Sequence, residues 1–291
     1  MLEAMILAVL VLGGASMSAY DFDIPQREDD RPDTEPTENS DRLQLGDSAD
    51  SIDAGRGNDQ VSAGGGDDTV TGGPGLDILQ GEAGHDQLAG GEFHDILLGG
   101  SGNDLLEGEG GKDILFGGDG DDTVLGGDWD DVISGDAGSD MLSGGRGNDN
   151  IFGVTVVPEP DAGSLKSLRD GDDPAGNIFS LEADDEADTL EGGDGHDYLA
   201  LGAGDTANGG TGRDVFDLLL TPEATDAITI EDYQAGTDSV RISGKSSGAF
   251  NVQLEEESGD ALILEGGVLV ARLTGAGSSF SLDQLEFAPV N

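Results

Sequence analysis

The sequence has no cysteine, only three histidines, and aromatic residues at 4% of its 291 positions. Without cysteine there are no disulfides, thiolate metal centres or thiol nucleophiles, so stability outside a cell would need another staple. Scarce aromatics argue against a conventional packed globule. Basic residues are scarce too: 12 Lys and Arg stand against 62 Asp and Glu, a formal charge of −50. Such a surface excludes nucleic acid and anionic membranes as electrostatic partners and favours cations. Metalloprotease, phosphate-loop and EF-hand spacings are all missing. The stretches "GDSAD" at Gly46 and "GGSGN" at Gly99 resemble serine-nucleophile contexts, but both fall in phase with a repeat. No catalytic constellation is left, and the sequence predicts a protein that is not an enzyme.

What is abundant is glycine, at 51 residues, and it is periodic. Eleven uninterrupted nine-residue units run from Ala54 to Phe152, among them "AGGGDDTVT", "GGSGNDLLE" and "GGRGNDNIF". The sixth position is Asp every time and the eighth is always Val, Leu or Ile. A disordered acidic tail would not need that aliphatic. Upstream, "LGDSADSID" fits a degraded unit with Asp50 in place. Downstream, the phase breaks between Gly153 and Glu182, as expected of a looped-out insertion or a joint between two rolls. It resumes with "ADDEADTLE", "GGDGHDYLA", the eight-residue "LGAGDTAN" and "GGTGRDVFD". On that alignment Thr206 falls where an Asp belongs, which predicts a weak or empty site.

These units resemble the RTX, or haemolysin-type, calcium-binding nonapeptide repeats, and the resemblance covers roughly residues 45 to 217. It implies an all-β fold: a right-handed parallel β-roll of 18-residue coils, two units per coil, with a small C-terminal β cap. Each unit would give a six-residue turn and a three-residue strand with its eighth residue inward. One coil cannot bury its own apolar residue, so coils must stack. Asp side chains would then recur at the ~4.8 Å strand spacing, a repulsion of roughly 3 kcal/mol per pair at an effective dielectric of 20. A hard divalent cation between coils removes it, and oxygen-only ligation selects Ca²⁺ over Zn²⁺ or Cu²⁺. One metal column would use Asp59, Asp77, Asp95, Asp113, Asp131 and Asp149, and the other Asp68, Asp86, Asp104, Asp122 and Asp140. Asp188, Asp197 and Asp214 continue the pattern after the break.

Some positions depart from the repeat. Phe93 and Trp129 replace the fourth-position Gly, and Glu82, Glu109 and Asp136 the second, which questions the carbonyl geometry of those turns. His85, His94 and His196 all hold position five, read as a variable outward turn position. The seventh and ninth positions should face outward, and on alternate units they are apolar. That makes an outer face of Ile78, Ile96, Leu98, Ile114, Phe116 and Val132 which should be covered by the insertion, the N-terminus or a second copy.

The expected organisation is therefore an apolar signal or anchor segment at 1–20, an acidic linker at 21–44 and a roll at 45–152. An insertion at 153–182, a second repeat block at 183–217 and a β-rich cap at 218–291 follow. The passage "DVFDLLL…AITIEDYQAGTDSVRIS" resembles the segment after the repeats in RTX proteins, where the C-terminal region caps the roll and carries a type I secretion signal. The expected location is extracellular, with membrane contact only through residues 1–20. The alternatives are a surface adhesin or matrix module working through the Ile78, Ile96, Ile114 and Val132 face, or an accessory module of a carbohydrate-active enzyme.

Overall fold

A computed structural model describes residues 36–158, 179–182, 186–220, 226–244, 252–265, 267–281 and 284–289. Alternate nonapeptides go to alternate sheets, giving one sheet of eleven strands and one of twelve, here the odd and even sheets. In the repeat region neighbouring strands are parallel and 18 residues apart: Val61 lies beside Leu79, Leu79 beside Leu97, and Leu97 beside Leu115. The even sheet does the same with Val70, Leu88, Leu106 and Val124. These eighth-position aliphatics are fully buried and form one continuous core between the sheets. The fold is the expected all-β parallel roll.

The roll starts earlier than residue 45. Strand Arg42–Gln44 pairs with Gln60–Gly65, and Thr37 bridges Gly55, so the first coil reaches back into the acidic stretch. The apolar segment 1–20 and the linker up to residue 35 lie outside the described residues.

Across the phase break, Asn150 pairs with Tyr198 and Met141 with Thr189, each 48 residues apart. The coil after the break stacks directly on the coil before it, which excludes a joint between two rolls. Thr155–Pro158 and Phe179–Glu182 form an antiparallel hairpin beside strand Val132–Ala137; the insertion between them, 159–178, lies outside the described residues.

The outer face of the odd sheet is buried. Ile78, Ile96 and Ile114 are 3%, 2% and 8% exposed, and Phe152, Tyr198 and Asp217 are buried further along. On the even sheet, Thr69 and Gln87 are exposed and Met141 is 60% exposed. Ile78, Ile96 and Ile114 are thus buried within the single chain, while Leu98, Phe116 and Val132 of the same face are half-buried. The burial of Ile78, Ile96 and Ile114 requires no second copy.

The C-terminal region is less separate than a cap. Ile228–Ile230 extends the even sheet, and Ser239–Gly244 with Leu285–Pro289 extends the odd sheet, all in parallel. Val268–Leu273 follows in parallel beside Ile228–Ile230, and Asp260–Glu265 and Val252–Glu257 then add antiparallel and close the even edge. Tyr233 and Phe280 plug this end of the core edge-on, with ring centroids 5.2 Å apart.

Candidate metal centre

Each sixth-position Asp sits where the turn enters the strand, and its carboxylate turns toward the neighbouring coil. The Asp59 backbone N–H donates to Asp77 Oδ1 at 2.7 Å, Asp77 to Asp95 at 2.8 Å, and Asp95 to Asp113 at 2.7 Å. The same bond links Asp113 to Asp131, Asp131 to Asp149, Asp149 to Asp197 and Asp197 to Asp214. A second ladder runs through Asp68, Asp86, Asp104, Asp122, Asp140 and Asp188. The two predicted columns exist, one per edge, and the insertion interrupts neither.

Only half of each carboxylate is used. The second oxygen, Oδ2, is buried without a hydrogen-bond partner in thirteen of the predicted aspartates, all except Asp188. Burying an unpaired anionic oxygen is costly, and a native fold avoids it by protonation or by a cation. The acidities agree. Burial pushes Asp77, Asp113, Asp122, Asp149 and Asp197 up to about 7 against the pull of the backbone N–H bond, and neighbouring carboxylates add to the rise at all of these except Asp113. Asp95 and Asp131 rise to about 9, and Asp59, Asp86, Asp140 and Asp214 to about 6. Burial also raises Asp104.

The facing oxygens are backbone carbonyls. A Cβ added to Gly72 would lie 2.6 Å from Asp77 Oδ2 and 2.8 Å from the Gly90 carbonyl oxygen of the next coil. At Gly192 the pair is Asp197 Oδ2 at 2.6 Å and the Gly209 oxygen at 2.5 Å. At Gly72 and Gly192 glycine is therefore demanded by two oxygens converging on the space a side chain would fill. Among the described residues no three His, Cys, Asp or Glu side chains cluster as a metal site. One carboxylate per coil cannot make a side-chain cage, so a bound ion would draw on carbonyls, as a hard cation with many oxygen ligands does.

The doubted turns keep their geometry. Glu82, Glu109 and Asp136 take φ of 73°, 68° and 69°, and Phe93 and Trp129 take 83° and 89°. The Phe93 and Trp129 amides donate to Gly110 and Arg146 as Gly75 donates to Glu92, so the carbonyl ladder continues through them. The aromatic residues hold a left-handed backbone at a cost on the order of 1–3 kcal/mol each.

Sequence reasoning missed three carboxylates, Asp41, Asp205 and Asp238, and had Asp50 in place. Asp205, not Thr206, continues the second column: Thr189 pairs with Thr206, and the Asp188 amide donates to Asp205 Oδ1 at 3.0 Å. The missing residue of "LGAGDTAN" falls before the Asp, so the site predicted to be weak has its carboxylate. Asp41 and Asp50 begin the columns, and Asp238 ends the first by accepting from the Asp214 amide. The usable signal was an Asp two residues before a buried apolar residue: Asp41 and Leu43, Asp205 and Ala207, Asp238 and Val240.

Position five is also more than a variable outward position. His85 Nδ1 accepts the Asn103 amide at 2.7 Å, His94 Nδ1 that of Lys112 at 2.6 Å, and His196 Nδ1 that of Arg213 at 2.8 Å. Asn58, Asp67, Asn103, Asp121, Asp130 and Asn148 act alike. Where position five holds Asn, Asp or His its side chain accepts an amide of the next coil, whereas Leu76, Lys112 and Arg213 cannot; among the described residues the three histidines, spread over both edges, form no metal cluster.

Comparison with known proteins gives one family. A model described as the RTX calcium-binding nonapeptide repeat matches residues 37–70, 62–97, 89–124, 125–153 and 180–206. No curated protein matches the chain. Among solved structures, a subunit of the Azotobacter vinelandii mannuronan C5-epimerase is 21% identical with a TM-score of 0.28, over 58% of this chain and 80% of that one. The extracellular lipase LipA from Serratia marcescens is 17% identical with a TM-score of 0.22, over 65% of this chain and 40% of the lipase.

Proposed function

Because the chain belongs to the RTX calcium-binding nonapeptide-repeat family, we propose that it is a secreted calcium-binding protein whose roll folds as Ca²⁺ enters the two aspartate columns. The observation that carries this reading is the row of thirteen buried, partnerless carboxylate oxygens, each one coil from the next. Low cytosolic calcium would leave the chain unfolded for export. Extracellular modules, with dissociation constants of about 10⁻⁴–10⁻³ M, load outside the cell. The calcium is structural and the protein is not an enzyme. Export through a C-terminal type I signal, or anchoring through residues 1–20, belongs to the same proposal. Among the described residues no helix is long and apolar enough to cross a membrane.

Asp104→Ala tests the assignment against His94→Ala. Asp104 accepts from the Asp86 amide and presents an orphaned Oδ2, so its loss removes a ligand and strands a buried N–H. That costs about 1–3 kcal/mol before any calcium is counted. His94 supports one exposed amide, worth about 0.5–1.5 kcal/mol. Calcium titrations followed by circular dichroism should show a higher midpoint and lower cooperativity for Asp104→Ala only. Equal midpoints for the two variants would refute the site.

A further inference from the structure

We infer that Phe93 and Trp129 form a docking platform for an uncharged polysaccharide chain running along one edge of the roll. Both are fourth-position residues of the same edge, 36 residues apart, hence two coils or about 10 Å apart along the axis. They are 57% and 64% exposed, and Trp129 is the chain's only tryptophan. The repeat prefers glycine at this position, and both residues hold a positive φ that bulky side chains disfavour. More than half of each residue's surface is open to solvent, so folding gains little from keeping it there. Strain retained at an exposed aromatic points to use by a ligand.

The surroundings specify the ligand. Gly110 and Gly111, in the coil between, carry no side chain, so backbone floors the gap between the rings. A linear glycan lying along the axis can rest one sugar face on each aromatic while the intervening sugar spans the glycines. Aromatic faces accept such apolar ring faces in a sequence-tolerant way. Exposed Glu92 and Asp128, each next to an aromatic, offer acceptors to sugar hydroxyls. The nearby cations are engaged, Lys112 with Asp130 and Arg146 with Asp128. The formal charge of −50 is more than thirteen bound Ca²⁺ ions neutralise, so the loaded chain stays acidic and repels uronate and sulfate polymers, which favours a neutral glycan.

Trp129 fluorescence reads the site directly in the calcium-loaded full chain. Cellohexaose should blue-shift and change its emission, while oligomannuronate should not. Phe93→Gly should weaken cellohexaose binding about tenfold or more, and Trp129→Gly should abolish it by calorimetry. Both variants restore the repeat's own turn residue, so they should keep the calcium midpoint and match or exceed the parent's thermal midpoint. Circular dichroism of the same samples separates loss of binding from loss of the roll. No response to saturating cellohexaose by a folded roll, or unchanged affinity in Phe93→Gly, would overturn the proposal. So would a dimer that Trp129→Gly dissociates, which would assign the edge to a second copy.

Discussion

Chelation of calcium with EGTA at pH 8 should abolish most of the β signal, and millimolar calcium should restore it cooperatively. Each coil buries one aliphatic per sheet, such as Leu97 and Leu106, worth about 1.5–3 kcal/mol apiece. Each coil also brings one carboxylate per column to the strand spacing, at roughly 3 kcal/mol of repulsion per neighbour at an effective dielectric of 20. The two effects are of equal size and opposite sign, before any chain entropy is counted. A divalent ion converts the repulsion into attraction, and the coils then fold together because each contacts only its neighbours. Far-ultraviolet circular dichroism and the hydrodynamic radius check this. A β signal unchanged by EGTA would mean that the core holds the roll alone.

Acid should substitute for calcium. The carboxyls of Asp77, Asp95 and Asp131, raised to about 7, 9 and 9, bind protons more tightly in the roll than in the unfolded chain, near 3.9. For the calcium-free protein this stability is fully present below about pH 4 and is lost as pH rises through the folded values, between about 6 and 9. At Asp77 alone the difference is on the order of 4 kcal/mol. Protein unfolded by EGTA at pH 8 should therefore regain β structure near pH 5, although no metal is added. Acidification of the calcium-loaded protein should instead raise its calcium midpoint, since protons compete for the same oxygens. Asp131→Asn should ease metal-free folding and weaken calcium uptake. A calcium-free chain equally unfolded at pH 5 and pH 8 would contradict the buried-ladder picture.

Most of this architecture was legible in the sequence because stacking translates a nine-residue period directly into register. Asp59 and Leu79 could be placed from their phase alone. Reading failed where the period changed without the geometry changing. Asp205 was displaced by one deleted residue, Asp41 follows a stretch with no glycine, and Asp238 keeps only the fourth-position Gly236. The acceptor role of His85 and His94 was hidden because Asn, Asp and His share lone pairs rather than shape. At Phe93 and Trp129 the backbone kept a glycine-like φ against the side chain's preference, which no periodicity reveals. The burial of Ile78 and Ile96 was expected from composition, whereas its origin within the chain needed the three-dimensional structure.

The central claim is that the two aspartate columns are a calcium array that folds the protein. Equilibrium dialysis with radioactive calcium, run alongside circular dichroism on the same samples, tests it most directly. The account predicts uptake approaching one ion per orphaned carboxylate oxygen, thirteen in the two columns, rising in step with the β signal. Saturation at one or two ions, or uptake that leaves the β signal unmoved, would contradict it.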